Sequence, residues 1–275
     1  MQRTRSDEIN KGTGEPISAK NLAAINQQLQ ATRITDLIRQ QTCIRIAAGE
    51  AGSIVFREHF IAMAELKERV APAINLFSSA WLFQYLTETL DKRVLSVIGR
   101  KNFDEINEPI SLNLNIGTVL SRDFSNFNKL VGDNANKFVV EFQVIDIFAD
   151  MNAYGHARDM LQERGYKVLV DGVKPMSLKF FDPANLRPDF IKVAWGKDFE
   201  SETNDDGRLE MFRETVQNAG AESMILARVD SEKAVKWGLA LGISRFQGYF
   251  IDRMFHAMTR SKVKPKAKAK VAPKL

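Results

Sequence analysis

The chain has 275 residues and carries 39 Lys and Arg against 34 Asp and Glu, which gives a formal net charge of +5 at pH 7. Its length suits one large barrel or two ordinary domains, and its apolar content of 44% is typical of a protein with a sizeable core. The single cysteine, Cys43, excludes an internal disulfide and fits a reducing, cytoplasmic compartment, where a buried and inert thiol is expected. Residues 1–16 are polar and lack the apolar segment of a secretory signal.

The positive charge is concentrated at the C-terminus. Residues 261–275 hold six lysines and no acidic residue, so the rest of the chain has a net charge of −1. This composition predicts a disordered, lysine-rich tail over residues 259–275, which could contact anionic surfaces or simply aid solubility. Nucleic-acid binding by the tail is one functional alternative, although the tail has no aromatic residue on which bases could stack.

The first hundred residues predict an irregular start followed by a hairpin and helices. We expect residues 1–17 to be disordered and residues 18–41 to form an N-terminal helix, because their apolar residues recur at helical spacing. Two strands, residues 43–48 and 53–61, flank a Gly-containing turn and predict an early antiparallel hairpin. A helical region then runs to about residue 100, and no membrane span is expected, since the best candidate is short and contains Pro72. Its aromatic residues are expected in the core: Phe77, Trp81, Phe83 and Tyr85.

The remainder alternates strand-like and helix-like segments. The strands are predicted at residues 110–115, 137–144, 166–171, 190–195, 222–229 and 243–250, and the helices at 124–131, 147–164, 209–219 and 231–241. Gly165, Gly220 and Gly242 stand where helix C-caps belong. The alternation predicts a parallel sheet that closes into a TIM-type (β/α) barrel over residues 42–258. An open doubly wound sheet is the alternative, but no Gly-rich phosphate loop follows the first strand.

Polar residues recur at or near the ends of these strands. They are Glu58, Asn113, Glu141, Asp171, Lys192 and Gln247. In a barrel of this type the active site lies where the strands end, so these side chains are expected to converge. Three carboxylates, an amide and a lysine would form an oxygen-rich site suited to Mg²⁺ and a phosphate substrate. A single polar residue of this kind would more often face solvent. The prediction of a shared site therefore depends on their recurrence at one strand end after another.

These segments resemble, in order, the motifs of the EAL domain, a bacterial family that hydrolyses or senses cyclic di-GMP. Gln247-Gly248-Tyr249 matches the family's Gln-Gly-Tyr motif, and the segments at residues 58–60, 112–115, 140–144, 168–172 and 191–194 are similar to its other strand motifs. The resemblance covers about residues 42–255. It implies one Mg²⁺ held by Glu58, Asn113, Glu141 and Asp171. It also implies that Gln247, Lys192 and Asp171 contact a bound ligand.

The chain departs from the EAL pattern at charged positions. The second Asp of the family's Asp-Asp pair falls on Gly172, the first Glu of its Glu-Gly-Val-Glu motif on Ala227, its phosphate-binding arginine on Ala62, and a loop-steadying Glu on Val144. The loop after Asp171 is about two residues short. The resemblance therefore implies a lost second metal, little or no phosphodiesterase activity, and Lys192 as a vestigial catalytic candidate.

The leading prediction is a catalytically degenerate EAL protein that acts as a signalling or interaction module. Its ligand could be cyclic di-GMP that is not turned over, or an unidentified protein, including a second copy of the chain. The main alternative is a residual Mg²⁺-dependent phosphodiesterase in which Asp146 or Asp230 supplies a displaced carboxylate. Arg57 or Arg228 could replace the missing arginine. The N-terminal helix could cap the bottom of the barrel, pair with a second copy or dock a partner.

Overall fold

The structure, a computed structural model, describes residues 14–46, 52–196 and 208–262, and it contains a closed eight-stranded barrel. The barrel strands are β2 (Ile38–Arg45), β3 (Ser53–Ile61), β5 (Ile110–Asn113), β6 (Phe138–Gln143), β7 (Lys167–Val173), β8 (Phe190–Ala194), β9 (Met224–Ala227) and β10 (Arg245–Gln247). Around the barrel the order is β10-β2-β3-β5-β6-β7-β8-β9. Strand β2 is antiparallel to both of its neighbours, β3 and β10, and the other pairs are parallel. The predicted barrel with its early hairpin is confirmed, and the open-sheet alternative is wrong.

The parallel strands are apolar on both faces, which is typical of strands covered by helices outside and by other strands inside. Phe138, Val140 and Phe142 of β6 join the large core under the outer helices. Val139 of the same strand joins the small core inside the barrel, together with Cys43. Cys43 is fully buried, and burial raises the pKa of its thiol well above the ordinary value. The prediction that this cysteine is buried is confirmed.

The helices follow the strands as expected, with two changes at their boundaries. They are α1 (Ala19–Ala31), α2 (Met63–Val70), α3 (Ala80–Ile98), α4 (Ile116–Val119), α5 (Arg122–Val131), α6 (Val144–Ala149), α7 (Met151–Glu163), α8 (Arg208–Ala219), α9 (Glu232–Ala240) and α10 (Tyr249–Lys262). The helix predicted at 147–164 is interrupted because Asp150 is an N-cap whose side chain accepts a hydrogen bond from the Ala153 amide. The helix predicted at 18–41 ends at Ala31, since residues 38–41 pair with β3 instead. Gly165, Gly220 and Gly242 have positive φ, as the C-cap prediction requires.

The N-terminal helix belongs to a second apolar core beside the barrel. Helix α1 packs against α2 and α3, and this core contains Ile25, Leu29, Leu66, Leu86 and Leu90. Helix α2 follows the carboxyl end of β3, so the described contacts of α1 do not place it under the bottom of the barrel.

Both predicted disordered ends overlap ordered residues. Glu15–Pro16 (β1) pairs with Ile74–Asn75 (β4), and Ile17 is buried, so the prediction of disorder is wrong for residues 14–17. It is also wrong for residues 259–262, which belong to α10. The rest of the predicted disorder, at 1–13 and 263–275, lies outside the described residues.

The aromatic residues around the start of α3 divide between the core and the surface. Phe77 and Phe83 are buried, with ring centroids 4.9 Å apart, as predicted. Trp81 and Tyr85 are 74% and 47% exposed, so the prediction that they lie in the core is wrong. They are four residues apart and share the outer face of the helix. In the described ranges, no helix is both long and apolar enough to cross a membrane.

Candidate functional site

The carboxyl ends of the barrel strands bring the six predicted polar residues together. Glu58 lies in β3, Asn113 in β5, Glu141 in β6, Asp171 in β7, Lys192 in β8 and Gln247 in β10. Because neighbouring parallel strands are in register, Asn113 stands opposite Glu141, and Asp171 stands opposite Gln143. Direct hydrogen bonds connect all six residues once Gln143 is included. We call these seven residues the mouth network.

Glu58 is the centre of the mouth network. Its Oε1 accepts a hydrogen bond from Nδ2 of Asn113 at 2.7 Å. Its Oε2 accepts from Nζ of Lys192 at 3.0 Å and from Nε2 of Gln247 at 2.8 Å. Burial opposes ionisation, but the Lys192 charge and these three hydrogen bonds outweigh it and hold the pKa of Glu58 below its usual value. Glu58 is therefore an ionised carboxylate whose two oxygens are both engaged.

Lys192 also contacts Glu141, with 2.6 Å between Nζ and Oε2. Glu141 is fully buried, and the Ser111 hydroxyl lies 2.5 Å from its other oxygen. Burial and the neighbouring Glu58 charge raise the pKa of Glu141 to about 8. For Lys192, burial opposes the charge, but Glu141 and Glu58 raise its pKa well above the usual value. One ammonium thus serves two carboxyl groups, and the more buried Glu141 keeps its proton at neutral pH.

Gln143 is the member of the network that the sequence did not single out. Its Nε2 donates to Oδ2 of Asp171 at 2.7 Å and lies 3.4 Å from Oδ1 of Asn113. Side chains two residues apart in a strand share a face, so Gln143 points to the same side of β6 as Glu141. This period of two was the signal that could have identified Gln143.

The short turn after Gln247 is built against the loop that follows β9. The Val229 amide donates to the Gln247 carbonyl, and the Phe250 amide donates to the Val229 carbonyl, both at 3.0 Å. Gly248 has φ 150°, and a Cβ there would lie 2.3 Å from the Val229 nitrogen. Only glycine fits such a close approach of two backbones. The Gln-Gly pair therefore anchors Gln247 where it reaches Glu58.

Two charged residues proposed as substitutes lie elsewhere. Arg57 forms an ion pair with Glu108 and lies 3.2 Å from Thr42, so the prediction that it replaces the missing arginine at the mouth is wrong. The reason is strand alternation, which places Arg57 on the opposite face from Glu58. Arg228 directly follows the last residue of β9, at the carboxyl end of the barrel.

Asp146 is a structural anchor for α4. Its Oδ2 accepts from the Ile116 amide at 2.7 Å, and its Oδ1 accepts from Nε2 of Gln84 at 2.6 Å. A buried carboxylate at a helix N-terminus satisfies amides that would otherwise lack a partner. This contact occupies the side chain that the sequence offered as a displaced catalytic carboxylate.

A family model identifies the domain. The model of the EAL domain matches residues 35–254. This chain belongs to the EAL domain family. No curated protein matches it.

Solved EAL structures share the fold at low sequence identity. Vibrio cholerae LapD, an S helix-GGDEF-EAL structure bound to cyclic di-GMP, has a TM-score of 0.59 and 14% identity, with 84% of this chain and 57% of LapD covered. The Xanthomonas citri FimX EAL domain, in complex with cyclic di-GMP, has a TM-score of 0.57 and 10% identity over 84% of this chain and 93% of that domain. Bacillus subtilis YkuI, in complex with cyclic di-GMP and calcium, has a TM-score of 0.56 and 17% identity over 89% of this chain and 63% of YkuI. This chain therefore spans less than two thirds of LapD and of YkuI.

The EAL residues predicted to hold a metal do not fit a divalent cation as they are arranged. Their oxygens are of the kind that Mg²⁺ prefers. However, Glu58, Asn113, Glu141 and Asp171 each accept a hydrogen bond from a neighbouring ammonium or amide group. In the ranges that the structure describes, no three His, Cys, Asp or Glu side chains are placed to hold a metal ion.

Proposed function

We propose that this EAL domain is a signalling module that binds cyclic di-GMP without hydrolysing it. Support comes from the family and from LapD, FimX and YkuI, whose structures contain that nucleotide. The observation that carries the proposal is the mouth network, in which residues from six strands meet while the family's second aspartate is replaced by Gly172. Such a site keeps the hydrogen-bonded residues of the mouth network but lacks a carboxylate that hydrolysis needs.

The missing charges lie at the same end of the barrel. Ala62 directly follows β3, Ala227 ends β9, and Gly172 lies in β7 beside Asp171. Two-metal hydrolysis requires carboxylates that hold both ions and donors that stabilise the charge on the phosphate. None of these three side chains offers a charge or a hydrogen bond. Loss of one such group costs about two to three orders of magnitude in rate, so the combined loss supports a receptor.

Burial differs among the network residues that the resemblance assigns to a ligand. Gln247 and Lys192 are almost fully buried, and both bond to Glu58, so we propose that they position Glu58 rather than contact a bulky nucleotide. Asp171 is buried, at 7% exposed, and Gln143 is half-buried, so both are more exposed than Gln247 and Lys192, and we propose these two as the ligand contacts of the network. Arg228, at the end of β9, is the residue that we propose to contact a phosphate.

The sequence predicts that one Mg²⁺ accompanies the nucleotide, held by Glu58, Asn113, Glu141 and Asp171. Calcium in YkuI supports a divalent ion at EAL sites in general. The engaged oxygens of the mouth network argue against one here. Titration with and without Mg²⁺ therefore belongs to the test of the proposed function.

The test is titration calorimetry of the intact protein with cyclic di-GMP, with and without Mg²⁺, followed by chromatography of the same samples for linear dinucleotide. We expect binding and no product. Gln247→Ala should weaken binding by releasing Glu58, whereas Gln40→Ala removes an amide that bonds to His59 outside the mouth network and should bind normally. Linear product, absent from Glu141→Ala samples, would instead establish the residual phosphodiesterase. Absence of binding at high micromolar nucleotide would contradict the receptor proposal.

A second proposed role is binding of another protein. Five exposed apolar residues, which we call the apolar patch, lie on α3, on α6 and on the turn after β7: Trp81, Tyr85, Ile145, Phe148 and Phe180. The Gln84–Asp146 hydrogen bond ties α3 to α6, and Phe148 packs on Phe181 with ring centroids 4.8 Å apart. Exposed apolar surface of this kind is typical of interaction sites.

Light scattering after gel filtration tests a second copy as the occupant of the apolar patch. We expect a concentration-dependent dimer that becomes a monomer with Phe148→Asp/Phe180→Asp. Leu130→Asp is the matched control, because Leu130 is 63% exposed at the end of α5 that leads to the amino end of β6. A wild-type monomer at all concentrations would exclude the homodimer and leave a different protein as the partner.

A further inference from the structure

The Gln143 carboxamide lies between two oxygens that the EAL pattern assigns to a metal. Its Nε2 is 2.7 Å from Oδ2 of Asp171 and 3.4 Å from Oδ1 of Asn113. An amide nitrogen carries two hydrogens and no lone pair for a cation, so it can satisfy both oxygens at once. The position between Asn113 and Asp171 is therefore filled by a neutral donor from the chain itself.

Asn113 is oriented by this arrangement. Its oxygen faces Gln143, and its nitrogen donates to Glu58 at 2.7 Å. A cation shared by Glu58 and Asn113 would require the amide oxygen, not the nitrogen, to point towards the carboxylate. The Gln143 contact and the Asn113 orientation are thus parts of one hydrogen-bonded alternative to a metal site.

Gly172 makes room for Gln143. A Cβ at residue 172 would lie 2.8 Å from Oε1 of Gln143, closer than real contacts allow. Residue 172 also has φ 82°, which glycine adopts without strain. The position where the EAL pattern has a second aspartate therefore cannot carry any side chain while Gln143 keeps its present conformation.

We infer that the Gln143 carboxamide takes the place of a divalent cation between Asn113 and Asp171, and that Gly172 is the matching replacement that accommodates it. The two residues act as a pair: the long amide at 143 supplies the donor, and the absent side chain at 172 leaves the space. The mouth network is then held together without metal. This inference rests on side-chain contacts and not on nucleotide binding, so it stands or falls separately from the proposed function.

The test measures Mn²⁺ binding to the intact protein by electron paramagnetic resonance of the free ion, with no nucleotide present. We expect no binding by the wild type up to about millimolar Mn²⁺. Gln143→Thr keeps a residue suited to a strand but cannot bridge the two oxygens, and it should raise Mn²⁺ affinity by roughly tenfold or more. Gln40→Thr, which removes an amide outside the mouth network, should behave as the wild type does.

A second variant changes residue 172, the other member of the pair. Gly172→Ala places a methyl group against Gln143 and leaves all four predicted ligands unchanged, so it should also increase Mn²⁺ affinity. Circular dichroism establishes that each variant is folded before it is titrated. Wild-type binding as tight as that of Gln143→Thr would overturn the inference, and so would unchanged affinity in both folded variants.

Discussion

Lys192 and Glu141 form a buried contact in which Nζ lies 2.6 Å from Oε2 and neither side chain is more than 3% exposed. Burial and the neighbouring Glu58 charge outweigh Lys192 and raise the pKa of Glu141 to about 8, well above the ordinary value of 4.5. Between these two values the unfolded chain has lost the proton and the folded chain retains it. The free energy of unfolding should therefore fall as pH rises through this window, by up to about 1.4 kcal/mol per pH unit.

Urea denaturation of the wild type and of Glu141→Gln at pH 6 and pH 8.5 measures this effect. Glutamine keeps the shape and the neutral state of the protonated carboxyl, so Glu141→Gln should remove this share of the pH dependence and be relatively more stable at pH 8.5. If the difference in unfolding free energy between the two proteins is the same at both pH values, Glu141 is not protonated in the folded protein.

Lys192→Met tests the cation of the buried contact between Lys192 and Glu141. It leaves the buried Glu141 and the partly buried Glu58 without a cation, and breaking a buried pair costs about 3–5 kcal/mol. We expect a loss of unfolding free energy in that range at pH 7, measured by urea denaturation. The double variant Lys192→Met/Glu58→Gln should recover part of the loss, because it removes the ionised carboxylate. If the single variant is as stable as the wild type, the Lys192 charge does not stabilise these carboxyl groups in the folded protein.

The sequence predicted the barrel and six members of the mouth network because both depend on local and repeating features. Alternating strands and helices specify a parallel barrel, and polar residues at strand ends then meet of necessity. Gln143 was missed because its role depends on the distance across to Asp171 and Asn113 on neighbouring strands. The exposure of Trp81 could not be predicted from the sequence either. In a helix that is apolar on several sides, the buried face is known only when the neighbouring elements are placed.

Gly248→Ala tests the backbone contact behind the Gln-Gly-Tyr motif. The added Cβ would lie 2.3 Å from the Val229 nitrogen, so we expect a loss of at least about 2 kcal/mol in urea denaturation. Gly155→Ala is the matched control, because residue 155 is inside α7 and its Cβ would have no heavy atom within 4 Å. There, alanine should stabilise the helix by about 0.5–1 kcal/mol. Equal stability of the two variants would contradict the close approach at Gly248.

Asp146→Ala separates the structural role of that carboxylate from a catalytic one. The change removes the acceptor for the Ile116 amide and for Gln84, and each buried donor left without a partner costs about 1–3 kcal/mol. We expect lower stability in urea denaturation, with any cyclic di-GMP affinity of the folded variant unchanged, because Asp146 bonds to the start of α4 and to Gln84 of α3. Asp146→Asn keeps one acceptor oxygen and should lose less. A residual hydrolysis that disappears in both folded variants would instead assign Asp146 to the reaction.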